Sequence, residues 1–337
     1  MNVRVAQIIT GLVCTIFFLA LALYRVQLGS VGSALAHANP AWIGAAIVAY
    51  AVNLSLRTRR WQIILQPVAA IPYRVVGRAL LVGYGLNTIM PARLGELFRA
   101  EFFKRSFGLS RVCALTSIVI ERLFDGLAVV SCLGLGLLLT ATTRQGAGIV
   151  INVLAMGGAL FGAALLAAFC LSGSTMSRVL SRLPGVSVQL GMVQRGFGIL
   201  RTWRTLEIAI LTLIIYIPDA LSLWFLVKAV GLSLGFADTL VLVGLASLST
   251  LVPSGPAFLG TLQFAYALAI EFAGGSRAVG IAAATLAQLW LLLPIALVAT
   301  GLLVHGSGRL LSSMLKGRGS DVEATRSQRS SGTVSHQ

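Results

Sequence analysis

The chain has 337 residues, of which 57% are hydrophobic and 11% charged, with a net charge of +16. A soluble domain carries about 25% charged residues, so this composition excludes a soluble globular protein and indicates an integral membrane protein. The 26 Lys and Arg residues are spread between apolar runs, where membrane orientation places them, and this spacing argues against a nucleic-acid partner.

Six apolar runs have about the length of a transmembrane helix, which needs about 20 apolar residues. They are residues 5–24, 41–56 (with continuation to Leu65 left open), 112–140, 149–171, 206–230 and 278–305. We therefore predict one polytopic membrane domain over residues 1–305. Residues 306–337 are rich in Ser, Gly and Arg, and we expect them to form a disordered cytoplasmic tail.

Arginine-rich connections set the predicted orientation, because short basic loops stay in the cytoplasm. The loop over residues 57–78 has five arginines and no acid, and so does the loop over residues 172–204. The tail is also basic. We therefore expect a multi-pass protein of the cytoplasmic (inner) cell membrane, with both termini in the cytoplasm.

Two further apolar stretches, residues 75–103 and 236–272, are interrupted by Pro, Gly and polar residues. Neither has room for two crossings, and a single crossing of either would move a basic segment to the outside. We therefore predict two re-entrant helical hairpins, the first entering from the cytoplasm and the second from outside.

The predicted fold is an all-α membrane protein of about six transmembrane helices plus two re-entrant hairpins. Span 41–56, the first hairpin and span 112–140 form one unit. Span 206–230, the second hairpin and span 278–305 form the same unit in the opposite orientation. Such an inverted repeat is common in transporters, whose sites lie where interrupted helices meet.

Polar groups at the first interruption are candidate binding residues, because irregular backbone at membrane depth requires a cover of protein or a wet cavity. Asn87, Arg93, Glu96 and Arg99 lie there. Guanidinium groups could bind a phosphate and the carboxylate an amine. The alternative is a self-neutralising ion-pair ladder along a helix that starts at Leu94.

Glu121, Arg122 and Asp125 lie near the middle of the 112–140 span, where ionised residues face the interior and pair. They form a closed salt bridge or line a transport path. The net charge of these three residues is −1, so we expect one carboxylate to lack a partner or to be protonated.

The second interruption offers hydroxyl, amide and backbone groups. Its candidate residues are Ser254, Gly255, Gly260 and Gln263. Free N–H groups at a helix start favour an anionic ligand, whereas small residues also allow tight helix packing. The role of Asp219, in the 206–230 span, stays open. Isolated His and Cys residues lead us to expect no metal and no cofactor.

An ordered set of motifs carries a resemblance to a known family. The set is Arg57, Arg60 and Trp61, then Asn87, Pro91, Arg93, Gly95, Glu96 and Arg99, then Glu121, Arg122 and Asp125, then Pro253, Gly255, Pro256 and Gly260. It resembles the lysylphosphatidylglycerol synthase transmembrane family, a flippase-type domain found alone or fused to an aminoacyl-lipid synthase. Ala257 stands where the resemblance leads us to expect glycine.

The resemblance implies a bacterial-type protein that moves a polar lipid between leaflets. The lipid would be a phospholipid, an aminoacyl-phospholipid or a related lipid, with a separate lipid synthase as a second candidate partner. Without a synthase domain we expect no enzymatic activity, and without an ATP motif we expect downhill or ion-coupled movement. The alternatives are a membrane transferase that uses Glu121 or Asp125 as base or metal ligand, and a non-catalytic partner of a lipid synthase.

Overall fold

The computed structural model describes residues 3–24, 26–90, 94–141, 147–171, 187–252 and 254–304, and the regular structure in these ranges is helical. The predicted tail, residues 306–337, lies outside them. The helices are α1 (Val3–Leu23), α2 (Leu28–Ala36), α3 (Pro40–Leu65), α4 (Tyr73–Ile89), α5 (Leu94–Phe107), α6 (Arg111–Ala141), α7 (Ala147–Leu171), α8 (Ser187–Phe197), α9 (Arg204–Ala229), α10 (Phe236–Ser249), α11 (Thr261–Phe272) and α12 (Arg277–Leu302, with a π-helical turn at Gln288–Leu292).

Within the described ranges, four helices are long and apolar enough to cross a membrane, namely α3, α6, α9 and α12. Residues Leu12–Leu23 of α1 and helix α2 meet at 86° and would together make a fifth span. The chain is thus an all-α multi-pass membrane protein. The count of six spans stays a prediction.

Helix α3 extends further than its apolar run. Asn39 caps it by accepting a hydrogen bond from the Ala41 amide at 2.9 Å, with Pro40 in the first turn. The helix then continues through Arg57 and Arg60 and ends at Leu65, two residues before a proline. The continuation to Leu65 that the sequence left open is therefore present, so Arg57, Arg59 and Arg60 belong to a helix and not to a loop. The orientation of the chain in the membrane stays a prediction.

The interruption of both short segments is confirmed. The first consists of α4 and α5, whose break includes Pro91 and Arg93, two predicted motif residues that lie outside the described ranges. Met90 is extended (φ −104°, ψ 139°), as the residue before a proline usually is. The second consists of α10 and α11, separated by a 3-10 turn at Pro256–Phe258, and Pro253 also lies outside the described ranges. The depth of these segments in a bilayer stays a prediction.

The arms of the first hairpin cross very closely at two glycines. A Cβ atom on Gly95 would lie 1.8 Å from the carbonyl oxygen of Gly83, so only glycine fits at this crossing. The Gly95 amide donates to Asn87 Oδ1 at 2.8 Å and thereby ties the start of α5 to the end of α4. Gly95 and Asn87 of the predicted motif thus shape the interruption.

The packing partners of the two predicted units follow a reciprocal pattern. Helix α3 packs against its counterpart α9. The first hairpin arm α4 packs against α12, and the matching arm α10 packs against α6. Exchange of the two units therefore exchanges these contacts, as a two-fold relation requires. The pattern supports the repeat, and the opposite orientation of the units in the membrane stays a prediction.

Candidate functional site

Four helices bring eight charged side chains together inside the bundle. Helices α3, α5, α6 and α9 contribute four arginines, Arg57, Arg60, Arg99 and Arg122, and four carboxylates, Glu96, Glu121, Asp125 and Asp219. We call these eight residues the charge network. With all of them ionised the network is electrically neutral.

The innermost pair of the network joins α5 to α6. Arg99 Nη2 donates to Glu121 Oε2 at 2.6 Å, and both side chains are 1% exposed. The Arg99 guanidinium stacks on the ring of Trp61 with its carbon 3.6 Å from the centroid, a cation–π contact. Tyr84 of α4 donates its hydroxyl to Glu121 Oε1 at 3.2 Å. Glu121 thus ties three helices together.

A second pair joins α3 to α6. Arg60, which is fully buried, donates from Nη1 to Asp125 Oδ1 at 2.7 Å and to Thr212 Oγ1 on α9 at 3.0 Å. Its Nη2 lies 3.8 Å from Glu121. A third pair lies nearer the surface, where Arg122 Nη2 contacts Glu96 Oε1 at 2.9 Å.

Arg57 connects Asp125 with the remaining carboxylate of the network, Asp219. Its Nε donates to Asn53 Oδ1 at 2.8 Å, and its Nη1 donates to Asp125 Oδ2 at 3.3 Å. Its Nη2 lies 3.8 Å from Asp219 Oδ2, which is too far for a hydrogen bond. Asn53 in turn donates to the carbonyl of Ile215 on α9 at 2.9 Å, so the Arg57 head is held from two sides.

The structure bears on two details of the predicted charge pattern. Glu96 and Arg99 contact Arg122 and Glu121 on α6, and the alternative of a ladder along α5 also involves Arg93, which lies outside the described ranges. The carboxylate expected to lack a partner in α6 is neutralised by arginines from α3, which stand 65 or more residues earlier in the chain.

The charge network forms one wall of a cavity of about 320 Å³. Arg57, Arg122, Asp125 and Asp219 line that wall. The other walls are mainly apolar and include Val129, Phe161, Leu223, Leu248, Leu262 and Ile295. Both interrupted segments reach the cavity, the first through Asn87 and Thr88 and the second through Thr250, Leu251 and Phe258. An amphiphile with a polar head and an apolar body matches this division.

The predicted site residues fall into three groups. Asn87, Arg122 and Asp125 line the cavity, whereas Arg99 and Glu121 lie behind the wall and Glu96 is held by Arg122. Sequence reasoning did not select several polar residues of the lining, namely Tyr50, Asn53, Tyr84, Tyr216, Ser247 and Thr250, and gave no role to Asp219. Each is a polar side chain within an apolar run, a weak signal that these positions share.

The residues predicted at the second interruption bind one another and α1 instead of lining the cavity. The Gly255 amide donates to Thr15 Oγ1 at 2.6 Å, and a Cβ on Gly260 would lie 2.5 Å from the Thr15 carbonyl oxygen. The Gly260 amide is capped by Gln263 Oε1 at 2.8 Å. Thr261 Oγ1 lies 3.4 Å from Ser254 Oγ. Their contacts are those of tight packing.

The expected glycine of this segment corresponds to a left-handed backbone. Ala257 has φ 55° and ψ 25°, and Phe258 also has a positive φ of 57°. Non-glycine residues adopt this conformation at a cost of about 1–2 kcal/mol. Gln288, in the π-helical turn of α12, steadies the turn by donating to the Ala257 carbonyl at 3.0 Å and to Gln263 Oε1 at 3.5 Å.

Within the described ranges, no group of three or more His, Cys, Asp or Glu side chains is arranged to hold a metal ion. The carboxylates of α6 contact arginines.

The chain is similar to a known family and to a curated protein. Residues 8–299 match the family described as the lysylphosphatidylglycerol synthase TM region. A curated protein of Haloferax volcanii, named glycosyltransferase AglD, is 32% identical over 158 residues, which are 46% of this chain and 25% of that protein. The chain therefore covers about a quarter of the length of this relative.

Proposed function

The chain belongs to the lysylphosphatidylglycerol synthase transmembrane family, and from that premise we propose that it moves a polar lipid between the leaflets of a membrane. The lipid is a phospholipid, an aminoacyl-phospholipid or a related lipid. The observation that carries the proposal is the divided cavity, with four members of the charge network on one wall and a mainly apolar lining elsewhere.

The physical barrier to lipid movement is the headgroup. Transfer of a charge into hydrocarbon costs about 2.5–3.5 kcal/mol on insertion scales, and more in simulation. Arginine and carboxylate side chains in the cavity wall replace the water that a headgroup loses. A guanidinium offers a phosphate two parallel donors, which makes Arg122 and Arg57 the expected phosphate contacts.

Arg122 is the better exposed of the two, with 34% of its side chain accessible against 13% for Arg57. Among the described residues, Glu96 contacts the Arg122 guanidinium at 2.9 Å and Asp125 lies at 4.0 Å. We therefore expect a headgroup to meet Arg122 first and Arg57 deeper in the cavity.

The setting of this function is also a proposal. We place the protein in the cytoplasmic membrane with both termini in the cytoplasm, on the basis of the basic loop over residues 172–204 and the basic tail. Membrane lipids are the partners, and a separate lipid synthase would supply the lipid if the cargo is aminoacylated.

Reconstitution into liposomes tests the proposal. A fluorescent phospholipid in the inner leaflet becomes accessible to a membrane-impermeant quencher if the protein moves it. We expect wild-type protein to expose the lipid and Arg122→Gln to slow this exposure by tenfold or more. Arg277→Gln is the matched control, because Arg277 pairs with Glu271 at 2.7 Å away from the cavity lining. Equal rates in empty and protein-containing liposomes would refute the proposal.

A second candidate is a membrane transferase that acts on a lipid-linked headgroup or sugar. The name of the Haloferax volcanii relative favours it, although the chain covers only 25% of that protein. The same liposomes distinguish the two candidates by chromatography of the extracted lipids. An unchanged lipid in the opposite leaflet supports translocation, and a new lipid species supports the transferase.

A further inference from the structure

Asp219 is the least satisfied carboxylate of the charge network. The other three each contact an arginine at 2.9 Å or less. Asp219 has Arg57 at 3.8 Å and accepts no hydrogen bond from the described part of the chain. Its side chain is 17% exposed and lines the cavity. It therefore faces the transport path with one distant counter-charge.

Among the described residues, Arg57 forms an ion pair with Asp219, whereas the other arginine of the cavity lining, Arg122, contacts Glu96 and Asp125. Asp219 and its neighbours Tyr50, Asp125, Tyr216 and Tyr266 line the cavity together, and Cys132 lies within electrostatic range on α6. Three other elements near α9 carry their charged residues at their ends. The only charged residues of α10 and α12 are Asp238 and Arg277, in their first turns, and Arg201 lies in the 3-10 turn before α9. Arg57 is thus the counter-charge on which Asp219 depends.

Arg57 is also a candidate phosphate contact of the proposed function, and the two roles conflict. When the guanidinium turns to an anionic headgroup, Asp219 is left as a buried carboxylate without a counter-charge. Uncompensated buried charges are avoided in proteins, which neutralise such a group instead. The simplest neutralisation of a carboxylate in a cavity that admits water is the uptake of one proton.

We propose that Asp219 binds a proton each time Arg57 binds an anionic headgroup, so that one proton moves together with each anionic lipid. This inference rests on the proposed function. The carboxylate takes the proton from the aqueous phase on the loading side and releases it when the headgroup leaves and Arg57 returns. The lipid brings one negative charge and the proton one positive charge, so the site stays neutral through the cycle.

The inference makes proton movement measurable. Liposomes that contain the full-length protein, labelled phosphatidylglycerol and an internal pH-sensitive dye report lipid and proton movement together. For the wild type we expect protons to accompany the lipid. Above the titration midpoint the rate should fall by up to about tenfold per pH unit, since one proton is needed per cycle. An imposed membrane potential should leave the rate unchanged, because lipid and proton together carry no net charge.

Asp219→Asn is the decisive variant, because the amide has the shape of the protonated acid and holds no charge. We expect it to keep moving phosphatidylglycerol, with a rate that no longer depends on pH, no accompanying protons and a new response to membrane potential. Glu207→Gln is the matched control, since Glu207 is an acid of the same helix outside the cavity lining. It should behave as the wild type in all four measurements.

The outcomes separate this inference from the proposed function. If wild-type protein moves lipid without protons, or if Asp219→Asn keeps the wild-type pH profile, the inference is wrong and the proposed function stands. Loss of all lipid movement in a folded Asp219→Asn protein would make Asp219 a headgroup ligand and also overturn the inference. If this variant does not fold, the proton measurement on the wild type alone decides. No lipid movement by the wild type would refute the proposed function and the inference with it.

Discussion

Removal of the Arg99 guanidinium tests whether the charge network holds the bundle together. In Arg99→Gln, Glu121 loses its partner at 2.6 Å, and its remaining polar contacts among the described residues are Arg60 at 3.8 Å and the Tyr84 hydroxyl at 3.2 Å. Loss of one partner from a buried ion pair costs about 3–5 kcal/mol. Loss of the stacking on Trp61 adds up to about 2 kcal/mol. We therefore expect the free energy of unfolding to fall by at least about 3 kcal/mol.

A double variant separates the two sources of this loss. Arg99→Gln with Glu121→Gln removes both charges, so no carboxylate is left uncompensated, and we expect it to recover about half of the loss. Removal of one partner from a buried ion pair costs more free energy than the intact pair contributes to stability. In keeping with this, two guanidinium nitrogens of Arg60 (Nε and Nη2) and two of Arg99 (Nε and Nη1) make no hydrogen bond with described residues.

Reversible unfolding of the purified protein in detergent by a denaturant measures these free energies. Arg277→Gln serves as the control, because its pair with Glu271 is partly exposed and worth at most about 1 kcal/mol. Equal stability of Arg99→Gln and Arg277→Gln would refute the reasoning, and so would strictly additive losses in the double variant.

Three further predictions follow from the backbone and the surface. Gly95→Ala places a Cβ 1.8 Å from the Gly83 carbonyl oxygen. We expect this variant to lower the free energy of unfolding by about 1–3 kcal/mol in the same assay. Unchanged stability would contradict the close crossing of the two helices. Ala257→Gly removes the strain of a positive φ of 55°. We expect the free energy of unfolding to rise by about 1 kcal/mol. A lower free energy of unfolding would argue against a left-handed turn. Glu101 accepts hydrogen bonds from Arg111 at 2.5 Å and from Arg105 at 2.6 Å. These bonds lower the pKa of Glu101 from 4.5 to about 2. The contribution of Glu101 to stability is therefore complete above about pH 5 and lost as the pH falls towards 2. Glu101→Gln should remove this pH dependence of stability. An unchanged pH profile in the variant would contradict the prediction.

The interruptions of the two short segments could be predicted because their cause is local. Proline cannot donate a backbone hydrogen bond, and it forces the preceding residue out of the helical region. Met90 shows this effect directly. The left-handed turn at Ala257 was not predicted, although the family resemblance led us to expect glycine at this position.

The partners of the charges could not be predicted, because they come from distant parts of the chain. Arg57 and Arg60 follow an apolar run of 16 residues and have the composition of a basic loop. Inside the bundle both arginines are compensated by Asp125, which stands 65 residues after Arg60. The sequence pattern shows which charges lie near one another along the chain. It does not show which oppositely charged residues from distant parts of the chain neutralise them.

The choice between binding and packing at the second interruption was likewise open. Gly255 and Gly260 suit either role, and in the structure both contact Thr15 of α1, as closely packed small residues do. Asp219 carried no signal beyond its position after a proline in an apolar span. Its place beside Arg57 depends on the contact of α9 with α3.

The central claim is that a lipid headgroup occupies the divided cavity, and photochemical crosslinking tests it most directly. A phospholipid with a photoreactive headgroup is added to the reconstituted protein, and the labelled peptides are identified by mass spectrometry. The account predicts labels on cavity residues of both interrupted segments, such as Asn87 and Thr250, with loss of the label in Arg122→Gln. Labels confined to outward-facing residues, such as Leu213 with 64% exposure, would contradict it.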